Sequence, residues 1–171
     1  MSVDKDYNFL MIVGTSIAHG NDMEASVDLD TLGVNFTTKK GMRIWKVEFG
    51  QRPDTLAASG APAGFQDAST LSLRTITSGI AAPYFTDDGV IAQEHTTVMG
   101  PLAAGTSTSA VVIKTQGTVF PKGILVASDR LYLYDDNNRR CTRTSLCRIW
   151  YTLEQLTDSD FREMWEIWRR A

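Results

Sequence analysis

Four arginines lie within ten positions near the end of the chain: Arg139, Arg140, Arg143 and Arg148. Two aromatic residues, Trp150 and Tyr151, follow closely. Guanidinium groups bind phosphates and aromatic rings stack on bases, so this combination is typical of proteins that bind single-stranded nucleic acid. Asp135 and Asp136 lie just upstream and would neutralise part of this charge across a turn. We therefore treat the four arginines as candidate nucleic-acid contacts, with a solvated surface hairpin as the alternative.

The other reactive residue types form no catalytic or metal-binding pattern. The two histidines, His19 and His95, are too far apart in sequence to act as paired metal ligands on one strand. Arg148 follows Cys141 one position too late for a phosphatase loop, and no glycine lies between them. Glycine loops of the nucleotide-binding kinds are absent. The sequence thus predicts no catalytic residue, no metal site, no cofactor and no small-molecule substrate. Paired carboxylates that meet only in space stay open.

The cysteines and the acid pairs both have structural explanations. Cys141 and Cys147 are six positions apart, about 20 Å on one extended strand, which is too far for a disulfide. We expect free thiols in a reducing compartment. The acid pairs lie in turn-like segments: Asp28 with Asp30, Asp87 with Asp88, and Asp135 with Asp136. Aspartate is favoured in such segments because it bonds to the nearby backbone.

Length and composition indicate a single globular domain. The chain has 171 residues, 43% hydrophobic content and a formal net charge of -3. Such a charge argues against coating nucleic acid through electrostatics alone. No apolar run approaches the ~18 residues of a membrane span. The most apolar N-terminal stretch, residues 8–17, lacks a basic leader and is interpreted as a first, buried strand. We expect one domain over residues 1–171.

Several segments alternate with the period of two that is typical of β-strands. In residues 123–153, two alternating runs flank Asp135-Asp136-Asn137-Asn138, which predicts a β-hairpin. In an earlier strand, Trp45 is expected on the same face as Val47 and Phe49. Residues 50–66 contain prolines and glycines and are interpreted as a surface loop. About eight strands at regular spacing predict an all-β fold, an eight-stranded antiparallel sandwich of the jelly-roll kind.

The last segment, residues 157–170, predicts an amphipathic helix. Thr157 is a suitable N-cap, and acids occupy the first turn. One apolar stripe follows at helical spacing: Phe161, Met164, Trp165 and Trp168. Two tryptophans in so short a helix exceed what a small sheet edge needs. We therefore predict a subunit interface at these four residues, with packing on the edge of the sandwich as the alternative.

The strand count, the serine- and threonine-rich loops and the closing segment Ile149-Trp150-Tyr151-Thr152-Leu153 before an aromatic helix resemble the single jelly-roll coat proteins of small icosahedral viruses. The resemblance is one of architecture. It implies a subunit without enzymatic activity that builds a closed shell with copies of itself through loops and terminal segments. It also implies a place in the virion, assembly in the host cytoplasm and packaged nucleic acid as a partner. Many members carry a basic N-terminal arm, whereas residues 1–8 here contain a single basic residue, Lys5.

The leading hypothesis is therefore a viral capsid subunit, and two alternatives stay open. One is a virion or phage accessory protein, such as a tail, fibre or decoration component. The other is a carbohydrate-binding sandwich that uses Trp45, Trp150 or a tyrosine as a stacking platform.

Overall fold

The computed structural model describes residues 7–16, 23–56, 66–75, 89–99, 113–114, 117–137 and 141–170. These residues form nine β-strands and one α-helix. In chain order they are β1 (Asn8–Ser16), β2 (Met23–Asp28), β3 (Lys40–Leu56), β4 (Gln66–Arg74), β5 (Val90–Met99), β6 (Ile113–Lys114), β7 (Thr118–Val126), β8 (Arg130–Asn137), β9 (Cys141–Gln155) and α1 (Asp158–Arg170). The predicted all-β class with one C-terminal helix is confirmed.

The strands form two antiparallel sheets that pack face to face. Sheet A has the order β1-β9-β3, and both β6 and β7 pair with the far side of β3. Sheet B has the order β2-β8-β4-β5. Because β6 and β7 share one position in sheet A, nine strands occupy eight positions, which agrees with the predicted eight-stranded sandwich.

The pairing is nested. β1 pairs with β9, β2 with β8, β3 with β7, and β4 with β5. The first half of the chain therefore pairs with the second half in reverse order, as in a long antiparallel ribbon wound around a barrel. Two four-position sheets connected in this way make a jelly roll. The predicted topology is confirmed by strand order alone.

Alternating side chains build the core between the sheets. On β9, Cys147, Ile149 and Tyr151 are buried, while Arg148 and Trp150 point to the outer face of sheet A. On β8, Leu131 and Leu133 are fully buried and face them from sheet B. Such alternation is expected for strands that cover a core with one face only.

The predicted hairpin in residues 123–153 is wrong. β8 belongs to sheet B and β9 to sheet A, so these strands face each other across the core instead of pairing. Asp135 and Asp136 are also not turn residues, because β8 continues to Asn137 and Asp135 is fully buried. Local alternation identifies a strand but not its partner, since either strand could satisfy its backbone in either sheet.

The expectation that Trp45 shares a face with Val47 and Phe49 is also wrong. The register of β3 shifts between Ile44 and Lys46 against both neighbouring strands. Trp45 is the extra residue of this β-bulge, so the alternation changes phase there. Met42 and Ile44 before the bulge and Val47 and Phe49 after it all face the core, and Trp45 lies partly buried outside it.

The segment interpreted as a loop, residues 50–66, begins as a strand. β3 continues to Leu56, and β4 begins at Gln66. The register shifts between Pro53 and Thr55, where proline can be accommodated because a bulge leaves one backbone N–H without a ladder partner. The rest of the predicted loop, residues 57–65, lies outside the described residues.

Candidate subunit interfaces

Helix α1 begins as its sequence predicts. The hydroxyl Oγ1 of Thr157 accepts a hydrogen bond from the backbone N–H of Asp160 at 3.1 Å, which makes it the N-cap. Lys39 Nζ lies 3.0 Å from Oδ1 of Asp158, and Nε of Arg162 donates to Oδ2. The hydrogen bond from Lys39 and the charge of Arg162 hold the pKa of the Asp158 carboxyl below its usual value. Among the described residues, no helix has the length and apolar character needed to cross a membrane.

Three aromatic rings attach the first turns of α1 to the sandwich. Phe161 is 1% exposed, and its ring centroid lies 5.1 Å from that of Phe36 and 5.6 Å from that of Trp165. Phe36 and Trp165 are themselves 4.5 Å apart. The turn that carries Phe36 is held by Asn35, whose Oδ1 accepts from the backbone N–H of Thr38. The three rings therefore form one cluster between the helix and this turn.

Trp168 anchors the other end of the helix. Its side chain packs against the core, and its indole N–H donates to the carbonyl of Leu125 at 2.9 Å. Its own carbonyl accepts from Oγ1 of Thr75 at 3.2 Å. Trp168 thus joins α1 to β7 of sheet A and to the end of β4 in sheet B.

The four predicted interface residues differ in what they offer a neighbour. Phe161 is buried, whereas Met164, Trp165 and Trp168 are partly exposed. Trp165 and Trp168 also make the contacts within the subunit described above. The sequence did not single out Phe36, 50% exposed, or Ile167, 53% exposed. We call Phe36, Met164, Trp165 and Ile167 the helix surface. A subunit contact at the predicted residues stays a prediction.

A second apolar surface runs along β1. Four side chains at every second position are about half exposed: Tyr7 46%, Phe9 54%, Met11 49% and Val13 49%. We call these residues the β1 row. The intervening Leu10 and Ile12 face the core, and Ile12 is 3% exposed. The buried strand predicted at residues 8–17 is therefore buried on one face only. The signal was available: an apolar run without alternation has a second apolar face, which needs its own partner.

Aromatic side chains of the neighbouring strands of sheet A pack beside the β1 row on the same face. The ring of Phe9 meets that of Trp150 edge to face at 5.5 Å, and the ring of Tyr7 lies 6.1 Å from that of Trp45. Trp45 Nε1 donates to Oγ1 of Thr152 at 3.0 Å, which fixes the indole on the sheet. The row is thus part of a packed surface and not a set of isolated side chains.

The cations beside these aromatics are largely paired. Nε and Nη2 of Arg43 donate to the two carboxylate oxygens of Glu154 at 2.5 and 2.8 Å. Lys46 Nζ lies 2.6 Å from Oε1 of Glu48 and 4.9 Å from the ring centre of Trp150. The ammonium group of Lys46, which lies near Trp150, is therefore engaged in an ion pair and a cation–π contact.

The structure places two of the four candidate nucleic-acid arginines. Arg143 lies on β9 opposite Ser16 and Pro53. Arg148 lies on the outer face of sheet A between Met11 and Glu48, and its Nε is buried without a hydrogen-bond partner among the described residues. Arg139 and Arg140 lie outside the described residues. Of the four arginines in the predicted cluster, Arg148 is thus the one whose side chain the structure describes.

A cleft of about 630 Å³ lies beside the helix surface. Its aromatic wall consists of Phe36, Trp165 and Tyr132, and its polar residues include Asp129 and Arg130. Asp28 and Asp30 also line the cleft, and of this acid pair Asp28 makes the predicted bond to the nearby backbone. Oδ1 of Asp28 accepts from the backbone N–H of Asp30 at 2.9 Å, and Oδ1 of Asp30 accepts from Nδ2 of Asn35 at 2.6 Å. No three metal-ligating side chains come together within the described part of the chain.

The remaining reactive groups lie apart from one another. Cys141 and Cys147 are both on β9, about 20 Å apart on an extended strand. Cys147 is a free thiol that is fully buried, and burial raises its pKa, so it is held as a neutral thiol. His95 is exposed on β5, where its Nδ1 lies 2.9 Å from Oγ1 of Thr70.

Comparisons with known proteins identify no family. No protein-family model matches the chain, and no curated protein matches it. Among solved structures, the chain is similar to one from Desmodium yellow mottle tymovirus, with a TM-score of 0.30 and 10% sequence identity over 92% of this chain and 94% of that chain.

Proposed function

We propose that the chain is a structural subunit that assembles with copies of itself into a closed shell, as a viral coat protein does. The observation that carries the proposal is the presence of two exposed apolar surfaces in different places on one small jelly roll. The β1 row lies at one edge of sheet A, whereas α1 packs against β7 at the opposite edge. In this proposal the virion is the site of the protein, assembly takes place in the host cytoplasm, and the subunit has no enzymatic role.

Two separate surfaces matter because of symmetry. A single self-complementary patch on a subunit closes after one contact and produces a dimer. A second surface elsewhere lets each subunit contact further neighbours, which is the minimum for a closed shell. Apolar side chains that stay half exposed in a folded monomer also mark interaction sites, since isolated soluble domains rarely display several in a row.

The first test is the particle mass of the purified protein. We expect light scattering to report megadalton particles, and negative-stain imaging to show closed shells of uniform diameter. The single chain has a mass of 18.9 kDa, so assembled and unassembled states are easily separated. A monodisperse monomer over a wide range of concentration and salt would contradict the proposal.

Nucleic acid is the second partner in this proposal, and we assign Arg148 as a residue that contacts its phosphates. Replacing Arg148 with glutamine should weaken binding of a single-stranded oligonucleotide and reduce the slope of log affinity against log salt by about 0.7, the value for one lost phosphate contact. Fluorescence anisotropy at several salt concentrations measures both quantities. Arg162→Gln, on the exposed side of α1, is the matched control and should change neither. Equal losses in both variants would show a general effect of net charge.

The cleft beside the helix surface favours one alternative, a carbohydrate-binding sandwich. Aromatic faces and carboxylates line the cleft together, which is a combination suited to sugars. The predicted platform Trp150, in contrast, is contacted by Phe9 and Lys46. The same light-scattering experiment separates the two functions, since a glycan-binding module is a monomer or small oligomer whose elution shifts when sugar is added.

A further inference from the structure

In the part of the chain that the structure describes, β1 is an edge strand, and it lacks the charges, prolines and bulges that protect natural edges. Among the described residues it pairs with β9 alone, and its ladder with β9 runs from Asn8 to Ser16 without a register shift. It contains no lysine, no other charged residue and no proline. Edge strands are normally protected by charges, prolines or bulges, because their free N–H and C=O groups can pair with another strand.

We propose that β1 pairs antiparallel with β1 of a second copy, so that sheet A continues from one subunit into the next. This inference rests on the proposed function and names one of its contacts. The partner is a second copy of the chain because two uncharged β1 strands bring no like charges together when they pair. A partner selected by charge would find no group on β1 to recognise.

The spacing of the β1 row defines the register. Directly opposite residues of antiparallel strands point to the same face, so the exposed row of one copy lies beside the exposed row of the other. A two-fold axis at Met11 places Phe9 of one copy beside Val13 of the second copy, and Met11 beside its own counterpart. In this register Thr15 lies opposite Tyr7. Tyr7 and Phe9 each meet a smaller side chain, Met11 meets Met11 of the second copy, and the side chains of the two rows lie in lateral contact.

The area involved indicates how strong this contact is. A large apolar side chain buries on the order of 200 Å², so the four half-exposed residues of the β1 row present about 400 Å² per copy. Two copies would bury at most about 800 Å² of this surface, half of a standard interface, because side chains that lie side by side on one face keep their outer surfaces exposed. Backbone hydrogen bonds along the strand add to the contact. The pair therefore needs the other contacts of a shell to be stable, and it should be tested in the assembled protein.

A disulfide cross-link tests the pairing. The variant Met11→Cys, in a Cys141→Ser background, is oxidised mildly as purified particles and run on a non-reducing denaturing gel. Opposite Cβ atoms lie about 4.5–5.5 Å apart, close to the distance that a disulfide spans. We expect most of the protein to become a covalent dimer. Thr15→Cys, equally placed on the exposed face, is the control, because the two copies of position 15 would be about 26 Å apart.

The outcomes separate this inference from the proposed function. A dimer with Met11→Cys and none with Thr15→Cys supports the pairing. Particles of unchanged mass that do not cross-link at position 11, or that cross-link equally at both positions, overturn the pairing and leave the shell function intact. A wild-type protein that remains a monomer overturns both.

Discussion

Replacing Phe161 with alanine is expected to lower the free energy of unfolding by about 3–5 kcal/mol, the range for a fully buried phenylalanine. The side chain is 1% exposed, and its ring contacts those of Phe36 and Trp165. Its removal leaves a cavity between the helix and the turn that carries Phe36. Urea unfolding followed by far-ultraviolet circular dichroism measures the change.

The matched control for this variant is Ile167→Ala on the same helix. Ile167 is 53% exposed, so its truncation should cost about 0.5 kcal/mol or less. If Ile167 contacts a neighbouring subunit, Ile167→Ala should weaken particle assembly while the free energy of unfolding stays nearly unchanged. Equal and small losses of stability in both variants would mean that α1 does not pack on the sandwich through Phe161.

The helix was predictable because its signals are local. Thr157 can cap Asp160 from three positions away, and the stripe from Phe161 to Trp168 follows from helical periodicity. The core face of β9 was predictable for the same reason, since alternate side chains of a strand point to opposite sides. The pairing partner of each strand, in contrast, is not determined by the neighbouring sequence. The sequence between β8 and β9 is short enough for a hairpin, yet both strands pair with strands from the first half of the chain.

The candidate surfaces show the same limit. A bulge at Trp45 changes the phase of side-chain alternation in β3, and no neighbouring residue type predicts the bulge. In β1, an apolar residue at nearly every position suggested burial on both faces. Because β1 is at the edge of an open sheet with a single layer behind it, one of those faces points outward. Its exposure follows from the sheet order, which a sequence read one segment at a time does not contain.

The second large effect is expected at Asp135, which connects the two sheets. It is fully buried on β8, and its Oδ2 accepts hydrogen bonds from Oγ of Ser145 at 2.5 Å and from Nε2 of Gln51 at 3.0 Å. Both partners lie in sheet A, on β9 and β3. Asp135→Ala would leave two buried donors without this acceptor, at about 1–3 kcal/mol each. We therefore expect a loss of about 3–5 kcal/mol in the free energy of unfolding.

A double-mutant cycle distinguishes this network from simple loss of packing. If the carboxylate acts through its hydrogen bonds, Asp135→Ala combined with Ser145→Ala should cost less than the two single changes added together, since removing both partners leaves fewer unsatisfied groups. Asp129→Ala, an exposed aspartate next to the start of β8, should change stability by less than about 0.5 kcal/mol. Strict additivity in the cycle would contradict a coupled network. Coupling would show that the buried carboxylate links sheet B to sheet A through these hydrogen bonds, on the core side of the sheet whose outer face carries the β1 row.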